Sequence, residues 1–305
     1  MKRRTLVLLG LGAGLSAAVV VSARKTDRSP LAVLAEGERT QVETSDGAVL
    51  TVDVNGPEDG PVVVLAHCWG GDLHNWDRVA APLVDSGHRV VRWYQRGHGT
   101  STVGSEGFEI ERFGADLAEL LEALDLRDAV VAGHSLGGMT TQAFAIGHPE
   151  VATERVQALV LVATSSGNLA GSPIAKAQRF ILNPALDRAL AGPGGHVWLR
   201  VTLGKGATPA MVRATRDHFL GTPFETRIGI ADAMLLMDLH EGRRSIDLPT
   251  TVVVGTRDTL TPLAHSRSMA ADIPGAELVV LPSLGHMLPF EAPDRLVQII
   301  EEASS

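Results

Sequence analysis

The chain alternates short apolar runs with stretches in which apolar residues recur every three or four positions. Val62-Val63-Val64-Leu65-Ala66, Arg89–Trp93, Ala129–Ala132, Ala158–Ala163, Thr250–Gly255 and Glu277–Leu281 are brief and rich in β-branched residues, as strands are. The runs without polar alternation suit strands buried on both faces, the environment of a parallel sheet. Arg39–Thr44 and Val49–Asn55 read as two further strands, joined by a tight Asp46-Gly47 turn. Helical spacing predicts helices from about Trp76 to Ser86, Phe113 to Leu124, Met139 to Gly147, Ala264 to Ala271 and Arg295 to Glu302. Strands alternating with helices define an α/β fold. The expectation is a mostly parallel eight-stranded sheet flanked by helices, with ligands bound at the carboxyl ends of the strands.

The rhythm breaks between about Ser165 and Ser245, where apolar strand runs give way to helical segments and to the breakers Gly192-Pro193-Gly194-Gly195. This reads as a helical insertion after the sixth strand, covering the site. At the other extreme, Lys2-Arg3-Arg4 precedes an uncharged apolar run from Leu6 to Val21, then Ser22-Ala23 and Arg24-Lys25. That is the plan of an export signal, with Val21-Ser22-Ala23 suiting a small-residue cleavage site, and Arg3-Arg4 weakly resembles a twin-arginine signal. Residues 1–28 are expected to be an export leader or a membrane anchor, placing the folded part outside the cytoplasm. Membrane association through residues 5–22 follows only if the leader stays attached. Gly10, Gly12 and Gly14 belong to this leader and lack the strand–helix unit of a dinucleotide loop.

Composition narrows the picture in two ways. A net charge of −8 argues against nucleic acid as a partner. Cys68 is the one cysteine, so an intrachain disulfide and a C-x-x-C metal or redox site are excluded.

Gly133-His134-Ser135-Leu136-Gly137-Gly138 joins the Ala129–Ala132 strand to a helix. A serine on so abrupt a turn is strained and lifted above the sheet edge, with the helix N-terminus beneath any developing negative charge. Ser135 is the candidate nucleophile. It needs a base held by a third group. His286 lies in Ser283-Leu284-Gly285-His286, just past the Glu277–Leu281 strand, and Asp258 follows the Thr250–Gly255 strand. The order Ser, Asp, His, all at strand carboxyl ends, makes Asp258 the orienter and His286 the base. Cys68, His67 and His98 lie near the same strand ends and read as packing residues. Trp198, Phe219, Phe224, Met234 and Met237 are candidates for lining an acyl pocket.

These residues resemble the α/β-hydrolase fold family. The likeness rests on Gly133–Gly138, Arg96-Gly97-His98-Gly99-Thr100-Ser101, Gly255-Thr256-Arg257-Asp258 and Gly285-His286, and spans roughly Glu38 to Ala303. It implies a core of residues 36–167 and 246–305, with residues 168–245 as the family's variable helical cap. It also implies an oxyanion hole built from the backbone N–H groups of Leu136 and Trp69. Two departures stand out: Cys68 replaces the usual glycine after His67, and Tyr94 stands where an aspartate is common. The resemblance implies a small-molecule acyl substrate, no metal and no organic cofactor. Ester, amide, carbon–carbon and peracid chemistry all remain open on such a triad, as does a low-turnover binding protein that keeps the site.

Overall fold

The computed structural model describes residues 31, 34–167, 169, 187–188, 191–192 and 199–305. The expected leader (1–28), Trp198 and most of the segment 168–198 lie outside the described residues. Among the described residues no helix is long and apolar enough to cross a membrane.

Eight strands form one sheet: β1 (Glu38–Glu43), β2 (Val49–Asn55), β3 (Val62–Ala66), β4 (Arg89–Trp93), β5 (Ala129–His134), β6 (Val156–Val162), β7 (Thr250–Gly255) and β8 (Glu277–Leu281). Their spatial order is β1-β2-β4-β3-β5-β6-β7-β8. β1 and β2 pair antiparallel and β2 lies antiparallel to β4, while every pairing from β4 through β8 is parallel. The β1–β2 turn is the expected one: Gly47 adopts φ 81° and Thr44 Oγ1 donates to Asp46 Oδ1 at 2.7 Å.

The side-chain period of two sends alternate strand residues into separate cores. Val64, Val91, Val131, Leu161 and Val252 enter one, which is closed by Leu117, Leu120 and Leu121 of α2 (Ile110–Ala123) and Phe144 of α3 (Leu136–Gly147). Val63, Leu65, Val90, Val130, Val160 and Val253 enter the other. There they meet α1 (Asp77–Asp85) and a closing helix, Pro293–Ala303, whose Leu296, Ile299 and Ile300 share one stripe. A short helix, α4 (Pro149–Arg155), enters β6.

Between β6 and β7 the described residues include two helices. A 3-10 turn at Arg200–Thr202 precedes α5 (Pro209–Gly221) and α6 (Phe224–Leu236), and a second turn spans Gly242–Ser245. Thr208 begins α5 by accepting from Met211 N, with Pro209 at the first helical position. After β7 come α7 (Leu263–Asp272), β8, the four-residue α8 (Leu288–Glu291) and α9, the closing helix.

Candidate active site

β5 ends at His134 and α3 starts at Leu136, so Ser135 alone makes the corner, at φ 54° and ψ −111°. A non-glycine residue there costs on the order of 1–3 kcal/mol and needs its surroundings to hold it. They do. Ser135 N donates to Val162 O at 2.9 Å, and Thr164 Oγ1 donates to Ser135 O at 2.7 Å. The flanking glycines are demanded by contact: a Cβ on Gly133 would lie 2.3 Å from Gly137 O, and one on Gly137 2.2 Å from Ala66 O. This is why α3 begins three residues before the hydrophobic spacing suggests. Leu136, fully buried, is its first residue, so its N–H has no intrahelical partner.

The sequence-predicted partners meet. His286 Nδ1 lies 2.9 Å from Asp258 Oδ2, both side chains being buried. An ionised carboxylate only accepts, so Nδ1 carries the hydrogen and Nε2 is left as an acceptor. Asp258 also accepts from Leu260 N and Thr261 N at 2.9 Å and from Thr261 Oγ1 at 2.8 Å. Burial alone would raise this carboxyl. Electrostatic attraction between the carboxylate and His286, with the hydrogen bonds from His286 and Thr261, outweighs that and holds it below its ordinary value. The aspartate thus pins its own turn and the imidazole together.

Ser135 and His286 line one cavity of about 240 Å³. Trp69 lines it too, so of the expected site residues Ser135, His286 and Trp69 share the cavity, Leu136 follows Ser135 in the chain, and Asp258 touches His286. The loop after β3 is tightly fixed. His67 Nδ1 donates to Cys68 O at 2.8 Å, Gly71 N donates to the same oxygen at 2.9 Å, and Gly70 N donates to His98 Nε2 at 3.1 Å. Trp69 Nε1 reaches the carbonyl of Arg227 on α6 at 3.1 Å.

Cys68 is buried and lines the cavity. Its thiol is pushed up to about 12, chiefly by burial, so it holds no reactive thiolate. It fits because residue 71 is glycine: a Cβ there would stand 3.0 Å from Cys68 Sγ. His67 and His98 hold backbone groups, and Tyr94 packs its ring on Gly99. Of the residues suggested for a pocket, Phe219 and Met234 line the cavity. Phe224 instead receives the Arg227 guanidinium 5.5 Å from its ring centroid, and Met237 packs in the core beneath α6.

Sequence reasoning missed Asn75, Thr202, Thr261 and His218. The first three act by hydrogen bonding in short 3-10 turns or loops and carry no motif. His218 on α5 lines the cavity, with Nδ1 3.3 Å from Asp72 Oδ1. Burial keeps its pKa below the ordinary value.

Residues 61–293, most of the chain, match the family described as alpha/beta hydrolase fold. The chain belongs to that family and is an enzyme of the hydrolase type. It is 30% identical over 249 residues to the non-heme chloroperoxidase of Streptomyces lividans, covering 76% of this chain and 87% of that protein. It is 26% identical over 268 residues to 3-oxoadipate enol-lactonase 1 of Acinetobacter baylyi, covering 87% and 97%. A thermophilic esterase from Thermogutta terrifontis superposes with a TM-score of 0.71 at 28% identity, over 87% of this chain and 97% of that one. These names span three activities, so the site itself has to choose among them.

Proposed function

We propose that the protein is a serine hydrolase that cleaves carboxylic esters through an acyl-enzyme on Ser135. The observation that carries the reading is the Asp258–His286 pair, set so that His286 and Ser135 line the same cavity. In this mechanism Nε2 of His286 takes the serine proton as Oγ attacks the carbonyl carbon. Asp258 stabilises the imidazolium and fixes its tautomer. The backbone N–H groups of Leu136 and Trp69 receive the oxyanion, a contribution commonly worth about 100–1,000-fold per donor. His286 then protonates the leaving alcohol, activates water and returns the enzyme to its starting state.

The described lining favours uncharged substrates. It combines Trp69, Met139, Leu199, Val201, Phe219, Met234, Leu260 and Met287 with neutral Asn75, Thr202, Thr215 and Thr261, and contains no Lys, Arg, Asp or Glu among the described residues. A carboxylate such as an oxoadipate derivative bears would meet no described cation there, and a free amine no described carboxylate. The cavity falls below the roughly 300–1,000 Å³ of sites for drug-sized ligands, which favours short acyl groups. Residues 168–245 act in this reading as a cap, since α5 and α6 supply Thr215, His218, Phe219 and Met234. Residues 1–28 act as a leader that carries the enzyme out of the cytoplasm.

The test compares wild type with Ser135→Ala on p-nitrophenyl acetate, butyrate and palmitate, together with labelling by a fluorophosphonate probe. Short esters are turned over and the probe attaches, and both are lost in the variant while its circular dichroism is unchanged. Retained turnover in Ser135→Ala overturns the assignment. Faster turnover of palmitate than of butyrate overturns the short-acyl reading.

A further inference from the structure

From the cavity wall inward runs a chain of three buried hydrogen bonds that the mechanism does not use. Cys68 Sγ donates to Asn75 Oδ1 at 3.2 Å, Asn75 Nδ2 donates to His134 Nδ1 at 3.2 Å, and His134 Nε2 donates to His286 O at 2.9 Å. Asn75 and His134 are fully buried and Cys68 nearly so. The chain starts on the loop after β3 that carries the Trp69 N–H, passes the residue before the nucleophile, and ends on the backbone of the base. The His134 and His286 rings also lie together, with centroids 5.0 Å apart.

We propose that Cys68, Asn75 and His134 are positioning residues, a polarised relay that locks the oxyanion loop and the backbone of His286 into one geometry. The proposal rests on the hydrolase reading, in which those two elements must converge on Ser135.

The direction of every bond in the relay is forced by its end. The carbonyl of His286 only accepts, so His134 must present Nε2–H to it. A neutral imidazole with hydrogen on Nε2 has an acceptor at Nδ1, so Asn75 must turn its NH₂ that way. Asn75 Oδ1 is then left facing residue 68 and needs a donor, because an unsatisfied buried carbonyl is costly. Glycine or alanine at 68 supplies none; a thiol does, weakly, and a hydroxyl also can. Burial supports the scheme by holding His134 neutral, its pKa lowered to about 3. Cys68 therefore completes this hydrogen-bond chain, and its role needs no thiolate. Without the donor, Asn75 is free to turn its amide over, His134 to exchange tautomers, and the carbonyl of His286 to lose its anchor.

The experiment compares Cys68→Ala, Cys68→Ser and Asn75→Leu with wild type and with Ser135→Ala, on p-nitrophenyl butyrate. Cys68→Ala lowers kcat roughly ten-fold with KM within about two-fold, as a small misplacement of a catalytic group does. Cys68→Ser recovers most of that loss. The double variant Cys68→Ala/Asn75→Leu is no slower than Asn75→Leu alone, because the relay is already cut. An activity-independent readout accompanies the kinetics: long-range ¹H–¹⁵N spectra give the Nε2–H tautomer for His134 in wild type and Cys68→Ser, and a mixture in Cys68→Ala. Cys68→Ala with unchanged kcat and an unchanged tautomer overturns the relay. So does a Cys68→Ser variant as impaired as Cys68→Ala, since sulfur packing would then be the cause. Should Asn75→Leu fail to fold, the two Cys68 variants and the spectra still decide. Activity surviving in Ser135→Ala condemns the hydrolase reading instead, and the tautomer readout then judges the relay alone.

Discussion

Three fully buried histidines make this fold sensitive to mild acid, and the size of the effect follows from their environments. His67, His98 and His134 are each 0–1% exposed, and each holds a backbone or side-chain donor on one ring nitrogen. Desolvation is the largest cause of the shift in all three: His67 lies well below its ordinary value, His98 is lowered to about 4 and His134 to about 3. The crowding of His67 on His98, 4.7 Å between ring centroids, adds repulsion. The unfolded chain takes up these protons near pH 6.5 while the native state refuses them, so stability is complete above about pH 7 and falls as pH drops toward the native values. Between pH 7.5 and 5.0 each such histidine costs about 2 kcal/mol, or about 6 kcal/mol for the three, against a usual total of 5–15 kcal/mol. His74 opposes this, its pKa being raised by its hydrogen bond to Asp77, but it is half-exposed and its effect is screened. Urea unfolding followed by tryptophan fluorescence at pH 7.5, 6.5, 5.75 and 5.0 measures the loss, with a slope approaching about 4 kcal/mol per pH unit near pH 5. His98→Asn should flatten that slope by about one proton. A wild-type change below about 2 kcal/mol across this range would refute the reasoning, since it is less than a single histidine held neutral would give.

Three further substitutions test how the frame around the site is held. Arg96 is fully buried and pairs Nε with Asp116 at 2.7 Å and NH1 with Asp46 at 3.0 Å, tying the loop after β4 to the β1–β2 turn and to α2. Arg96→Met leaves Asp46 without its cation and Asp116 with Arg112 alone, and lowers the unfolding free energy by about 3–5 kcal/mol, read from the urea midpoint, whereas a loss below about 1 kcal/mol would show the network to be dispensable. Gly137→Ala raises helix propensity by about 1 kcal/mol, yet its Cβ would sit 2.2 Å from Ala66 O, so collision wins and the melting temperature falls sharply. Gly147→Ala on the same helix meets nothing within 4 Å and should be neutral or slightly stabilising.

Much of this frame is legible in the chain because its apolar runs are punctuated. Val49–Asn55, Val62–Ala66, Arg89–Trp93, Thr250–Gly255 and Glu277–Leu281 are expected and found with the same limits. Each is a β-branched run that ends at a glycine, proline or polar loop, so register and length follow from composition. The start of α3 is hidden for the opposite reason. Gly137 and Gly138 have poor helix propensity, and only the close approach of α3 to β3 at Gly137 and to Thr164 at Gly138 shows why they are there. α2 likewise starts at Ile110, ahead of the apolar spacing, because Arg112 is buried by pairing with Asp116 and Glu119. Four-residue α8 has no period to read.

The site divides along the same line. Ser135, Asp258 and His286 are found because each follows a strand, and a parallel sheet brings strand ends together whatever lies between them. What fixes His286 within that frame comes from residues no strand marks. Its N–H donates to Thr202 O at 2.8 Å, Lys205 N donates to Ser283 O at 3.1 Å, and Glu291 accepts from Gly204 N at 2.6 Å and Gly285 N at 3.1 Å. Gly204 and Gly285 must both lack side chains, since a Cβ on Gly285 would stand 2.5 Å from Gly204 N. The loop bearing the base is therefore sewn to the β6–β7 segment on one side and to His134 on the other. Substitutions near residue 204 should disturb kcat as readily as substrate binding, because in this fold the wall of the pocket and the support of the base are the same stretch of backbone.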